Sequence, residues 1–351
     1  MFSASTATMF SASTATSLRQ VSLLAAGLFC LGALRPVTAV PVDALFVEGR
    51  GQRDIQTSIN TDFPDPALIK GDDGMWYSFA TNSNGKNIQV ARASDIEGTW
   101  DLLDEDALPQ VGWSSGSNTW APDVQKLDNG SFIMYYSGEV KDGGGKHCIG
   151  VGIAKNVTGP YVAMDKPWVC PLSQGGAIDA SGFYDEPSKK HYVLYKVDGN
   201  SIGNGGDCNN GVPPLVDTPI MMQEVGADGY TKVGDPVQVL GRTDADGPLV
   251  EAPNLVRTSD GLYILFFSSF CFNSDKYNVN YATSKSLKGP YQRAPRMLLQ
   301  TGDFNLTAPG GATSVVGGGQ MVFHGDCGGV GLTRCMYQTF YSITGRDVII
   351  S

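Results

Sequence analysis

The sequence predicts an all-β fold, a five-bladed β-propeller forming a single domain behind a cleaved signal peptide. Three observations carry this prediction. First, one unit recurs: an opening segment, a turn about ten residues on, and an aromatic-rich strand. The openings PDPALI, WAPDV, AIDASGF and VEAPNLV lead to GDDGMWYSFAT, LDNGSFIMYYSG, PSKKHYVLYKV and SDGLYILFFSS. A fifth copy runs from PGGATSV into GGGQMVFHGD. Second, the turn positions Gly74, Gly130, Lys190, Gly261 and Gly319 are spaced by 56, 60, 71 and 58 residues. A period of roughly 40 residues or more with several short strands per unit marks radially stacked sheets, none of which can bury both faces alone. Third, charged residues make up only 17% of the chain, with 44 Gly and 19 Pro, and helical periodicity is scarce.

The elements follow in order. Arg19, the apolar run Val21 to Leu34 and the small-residue end Val37-Thr38-Ala39 read as a signal peptide over residues 1–39. That run is short for a membrane span, which needs about 20 residues. The peptide MFSASTAT stands twice in tandem at the start, for which an alternative start at Met9 is the simplest reading. Residues 40–351 then form the propeller domain. A third strand follows three of the units, at 91–100, 152–161 and 281–291. The segment 336–343 completes the last blade or closes the ring against the N-terminal segment. The irregular stretch 198–217 is a surface loop that can rim the channel mouth.

The formal net charge is −10, and removing Arg19 and Arg35 with the leader makes it more negative. Nucleic-acid binding calls for a basic patch, so such a partner is not expected, and neither is a membrane. Six cysteines remain after Cys30 leaves with the signal. An even number in an exported chain predicts disulfides, with fifteen connectivities open. The spacing of Cys327 and Cys335 fits a bridge within blade five, Cys148 and Cys170 can close blade two, and Cys208 with Cys271 is left by elimination. No CxxC spacing occurs, so no metal site is predicted. Asn129, Asn156 and Asn305 head N-x-S/T sequons, as in a secreted glycoprotein.

Four acids stand in the openings: Asp65, Asp123, Asp179 and Glu251. At one register of the first strand of each blade they would meet at one end of the channel. Paired carboxylates across a gap are what glycoside hydrolysis needs. An inverting enzyme activates water with one and protonates the leaving oxygen with another, ~6.5–9.5 Å away. A third carboxylate beside the acid keeps it protonated by like-charge repulsion. Each position also has a bland reading: Asp65 as a turn-former before Pro66, Asp123 as a bonding partner for backbone, and Trp120 as a core residue between blades.

In PDPALI, WAPDV, IDASGF with the following YDE, and VEAPNLV, taken in order from Asp62 to about His324, the chain resembles glycoside hydrolase family 43. The resemblance implies a five-bladed inverting enzyme acting on α-L-arabinofuranosyl or β-xylosyl linkages of plant polysaccharides or oligosaccharides. It implies Asp65 as general base, Glu251 as general acid, and Asp179 as the residue that orients Glu251 and keeps it protonated. Asp123 is expected to hold backbone groups instead. Trp120 is the candidate sugar platform, with Phe63 and Phe183 as further pocket residues. No cofactor is required. Many members hold a channel calcium or water cluster with a His in a Gly-Pro-Gly-His segment. Here Ala308-Pro309-Gly310-Gly311 puts Gly311 in its place, and His324, further on, is expected to be structural.

The leading expectation is thus a secreted, monomeric exo-acting arabinofuranosidase or arabinanase, with an endo-arabinanase or β-xylosidase as alternatives. A retaining fructosidase would need Asn-Asp-Pro, Arg-Asp-Pro and Glu-Cys segments, and the first reads Pro-Asp-Pro here. A non-catalytic carbohydrate-binding propeller would not need three acids.

Overall fold

A computed structural model describes residues 55–351; the predicted signal peptide lies outside the described residues. Five antiparallel sheets surround a channel. Blade five borrows its outermost strand from the other end of the chain, β1 (Thr57–Ile59). Blade one is β2 (Ala67–Lys70), β3 (Trp76–Ala80), β4 (Gln89–Ala93) and β5 (Asp101–Leu102). Blade two is β6 (Trp120–Lys126), β7 (Phe132–Glu139), β8 (His147–Ala154) and β9 (Val162–Ala163). Blade three is β10 (Ala177–Asp185), β11 (Lys190–Val197), β12 (Ile220–Val225) and β13 (Lys232–Leu240). Blade four is β14 (Val250–Arg257), β15 (Tyr263–Ser269), β16 (Asn280–Ser284) and β17 (Gln292–Arg293). Blade five is β18 (Gly310–Ser314), β19 (Gln320–Asp326) and β20 (Arg334–Thr344), to which β21 (Asp347–Ile350) also pairs.

Both expectations for the last segment hold together. β20 completes blade five by pairing with β19, and it closes the ring by pairing with β1, Thr57 opposite Tyr337.

The core lies between blades, which follows from the alternation of the strands: successive side chains face opposite neighbours. Val124, Met134 and Tyr136 of blade two meet Phe79 and Val90 of blade one. Ile133 and Tyr135, one residue along, meet Val193 and Tyr195 of blade three. Similar seams join blades three and four, four and five, and five and one. A sheet buried on both faces explains why β7, β11 and β15 read as nearly unbroken apolar runs. Trp76 packs against the five–one seam, as expected of a residue inside an alternating strand.

Three disulfides form, Cys148–Cys170, Cys208–Cys271 and Cys327–Cys335. The three sequon asparagines are exposed. Among the described residues no helix is long and apolar enough to cross a membrane.

Candidate active site

The innermost strand of every blade opens at one end of the channel, and there the backbone takes a left-handed step. The residues that take it are Asp65 (φ 55°), Ala121 (36°), Asp179 (59°), Ala252 (52°) and Gly311 (58°). In blades two to five the step coincides with a break in strand register. For a residue with a Cβ this conformation costs of order 1 kcal/mol or more. Its recurrence around the ring marks it as built into the mouth. These five residues, with Pro122, Asp123 and Thr313 among others, line one cleft.

The step corrects the expected common register of the four acids. Only Asp65 and Asp179 stand on it. Glu251 precedes it by one residue and Asp123 follows it by two, so their side chains meet different neighbours. Asp123 is buried, and its Oδ2 accepts from Gly182 N–H (2.8 Å) and Gln125 Nε2 (2.8 Å), a strap from blade two to blade three. Burial pushes its carboxyl up to about 6.

Asp65 is held on three sides. Thr81 Oγ1 donates to Oδ2 (2.6 Å), and Arg334 Nη1 donates to Oδ1 (3.2 Å). His324 Nδ1 lies 3.1 Å from the Asp65 N and 3.2 Å from Oδ1, accepting from the one or donating to the other according to its tautomer. Burial alone would raise Asp65, but the Arg334 charge and the His324 and Thr81 bonds outweigh it. They hold the carboxyl well below the usual carboxylate range. His324, expected to be structural, is indeed fully buried, yet it touches the proposed base. Gly311 explains how: a Cβ there would stand 2.9 Å from the imidazole and 3.2 Å from Asp65 Oδ1. The imidazole of His324 occupies the space a side chain at 311 would need.

Glu251 sits against a buried cation. Lys196 Nζ, fully enclosed, lies 2.9 Å from Glu251 Oε2 and 3.0 Å from Asp198 Oδ1. Tyr277 Oη donates to Glu251 Oε1 (2.9 Å). Burial would strip the proton from Lys196, but the Glu251 and Asp198 charges raise it further than burial lowers it, so it stays cationic. Asp179 lies beside this group, its Oδ2 accepting from Ala252 N–H (2.9 Å). Burial, and then the charge of Glu251, push Asp179 up to about 8. The bonded cation thus stands on the Glu251 side, and the repulsion between the two carboxylates shows on Asp179. The rings of His324 and Tyr277 are stacked 5.7 Å apart and link the partner of Asp65 to the partner of Glu251.

The aromatic expectations divide. Trp120 is half-buried next to the cleft-lining Ala121, its indole stacked on His147 at 3.7 Å. Phe63 is fully buried in the five–one seam and presents no face to the cleft. Phe183 packs on the three–four seam, edge-on to Tyr263. It lies four residues beyond Asp179, about 13 Å along the strand, so nearness in sequence put it in the wrong place. Four site residues escaped the sequence reading altogether: Thr81, Lys196, Tyr277 and Arg334. Lys196 left a signal, a lone charge inside the apolar run HYVLYKV.

A channel calcium would have to share His324, whose Nδ1 faces Asp65 and whose Nε2 is buried without a hydrogen-bond partner. The acids are compensated by Arg334 and Lys196. Among the described residues no group of three or more His, Cys, Asp or Glu is placed to hold a metal.

Removing the cation would leave Glu251 and Asp198 buried without compensation. Lys196→Met is expected to destabilise the fold by about 3 kcal/mol or more in urea unfolding. Adding Glu251→Gln to the same chain should recover part of that loss.

Comparison with known proteins places this geometry. The chain is 25% identical over 281 residues to a probable arabinan endo-1,5-alpha-L-arabinosidase C of Aspergillus flavus, covering 74% of this chain and 81% of that one. It is 24% identical over 283 residues to the extracellular endo-alpha-(1->5)-L-arabinanase 1 of Bacillus subtilis, covering 74% and 79%. In fold it is similar to a thermostable family-43 glycoside hydrolase (TM-score 0.71, 23% identity, 84% of this chain and 96% of that one). It is similar also to an exo-1,5-alpha-L-arabinanase from a bovine ruminal metagenomic library (TM-score 0.62, 22% identity, 86% and 100%). The sequence profile of Glycosyl hydrolases family 43 matches residues 57–350, and the chain belongs to that family.

Proposed function

We propose that this glycoside hydrolase is exported and cleaves α-L-arabinofuranosyl linkages of plant cell-wall arabinan or arabinoxylan, acting alone from a chain end. The observation that carries the mechanism is the unequal charge compensation of two carboxylate centres: Arg334 and Thr81 bond Asp65, while Lys196 is shared on the Glu251 and Asp179 side. Asp65 is kept ionised by Arg334, Thr81 and His324, as a general base for water must be. The buried Asp179–Glu251 pair keeps a proton near neutral pH. Glu251 delivers it to the leaving oxygen, Asp179 orients the pair through the Ala252 N–H, and inversion follows because water attacks from the face opposite the departing group. Trp120, backed by His147, offers its indole to the apolar face of the sugar.

The names of the fungal and bacterial relatives support arabinan as the substrate. Exo-cleavage is supported by the activity for which the bovine ruminal neighbour is named. A second reading, endo-cleavage, is favoured by the names of the fungal and bacterial relatives. Export is supported by the pairing of all six cysteines among the described residues, since disulfides persist in oxidising compartments.

Product analysis tests the proposal. Linear 1,5-α-arabinan should yield arabinose alone from the earliest time point. Early mixed oligosaccharides would establish endo-cleavage, release of xylose from xylo-oligosaccharides would make the enzyme a xylosidase, and no product from a folded protein would overturn the assignment.

The roles separate by mutation. Glu251→Ala should lose roughly 100-fold or more on arabinan but far less on aryl arabinofuranosides, whose leaving groups need no proton. Asp65→Asn should lose both, and kcat/KM on the two substrates checks the contrast.

The pH profile follows from the same charges. The pair binds its proton more tightly than an ordinary carboxyl, so activity should be full below about pH 8 and fall as pH rises through it. Asp65 stays ionised far into the acid range, so it sets no limb near neutrality. Asp179→Asn removes one negative charge from the pair, so the alkaline limb of kcat/KM should move to lower pH. An unmoved limb would take Asp179 out of the acid's surroundings.

A further inference from the structure

One exposed aromatic ring at the channel mouth has no part in the scheme above. Phe272 lies on the loop between β15 and β16 and is 41% exposed. The other exposed aromatic among the described residues, Tyr184, sits at the far end of β10 against His191. A ring on a free surface loop would need no explanation, but this loop is fixed on each side of Phe272. Cys271 is buried and bonded to Cys208, which ties the loop to the long blade-three loop. Phe270, at φ 65°, packs so closely on Gly247 that a Cβ there would stand 2.5 Å from its ring, and its N–H donates to Asp246 O (3.0 Å). Asn273 packs on Gly331 of the blade-five loop, where a Cβ would lie 3.1 Å from its own. Backbone freedom of this kind is lost only against compensating contacts.

The ring also has a defined neighbour. The Arg334 Cζ lies 5.1 Å from its centroid, and Arg334 Nη1 is 3.2 Å from Asp65 Oδ1. Phe272 therefore stands one guanidinium away from the carboxylate that activates water, yet outside the lining of the cleft that holds the reacting sugar.

We propose that Phe272 is a specificity-determining residue, a fixed platform on which the sugar unit next to the one being cleaved stacks. A furanose has an apolar C–H face, and an aromatic ring buries that face without demanding a particular hydroxyl pattern. The Cys208–Cys271 bridge holds the platform in place before substrate arrives, which lowers the ordering cost of binding. The inference rests on the glycosidase reading above.

The test compares wild type with Phe272→Ala on 1,5-α-arabinotetraose and on methyl α-L-arabinofuranoside, whose methyl group cannot reach or mimic a second sugar. KM for the tetraose should rise roughly five- to ten-fold with kcat within two-fold, and kcat/KM for the methyl glycoside should stay within two-fold. Phe272→Tyr should restore the tetraose KM. An unchanged tetraose KM overturns the inference. Equal loss on both substrates overturns it too, because it would make the ring only a prop for Arg334. A folded wild type inactive on both substrates would instead fell the glycosidase reading, and this platform with it.

Discussion

Two carboxylates can persist at the end of a protein channel only if their charge is met, and here each is met by a cation from a different blade. An isolated ionised group is so costly to bury that it would give up its charge instead. Arg334 meets Asp65, while Lys196 meets Glu251 and Asp198. One cation among three carboxylates on the Glu251 side leaves an excess of negative charge when Asp179 is counted, and a retained proton relieves it. On the proposed scheme acid and base are distinguished by how many cations each side receives, although the residues themselves are all simple carboxylates.

The blades and their number were legible in the sequence because they depend on short-range patterns: a turn, an alternation, a repeat. The candidate acids were legible for the same reason, since each occupies a short opening segment. Their partners were not. Arg334 reaches Asp65 across 269 residues, and Lys196 reaches Glu251 across 55. Such pairs are fixed by how blades close on one another, which no local pattern records. The register of Glu251 and Asp123 was misread because a left-handed step shifts the side-chain alternation by one residue, and Ala121 and Ala252 carry no Gly-like mark of it. Phe63 and Phe183 were placed by nearness in sequence to an acid, but Phe63 is buried in the five–one seam and Phe183 lies four residues along its strand from Asp179.

The exchange at Gly311 and His324 shows a related limit. The imidazole sits near Asp65, but it arrives from the second strand of the blade, not the first, across the Gly310–His324 pair. A motif comparison that asks which residue follows Gly310 finds a loss. The structure finds the same space filled from the neighbouring strand, with Gly311 making room for it.

The ring closes by a strand pair that joins Thr57 to Tyr337, nearly the whole length of the domain. That pairing cannot form until synthesis is almost complete, so the blades made first wait as an open arc whose terminal seam is unsealed. Contacts this distant in sequence form slowly. If the chain is exported as proposed, lateness is useful: the polypeptide can be threaded through a translocation pore while its last blade is still being made. The final fold is then locked on the far side, where the three disulfides can also form.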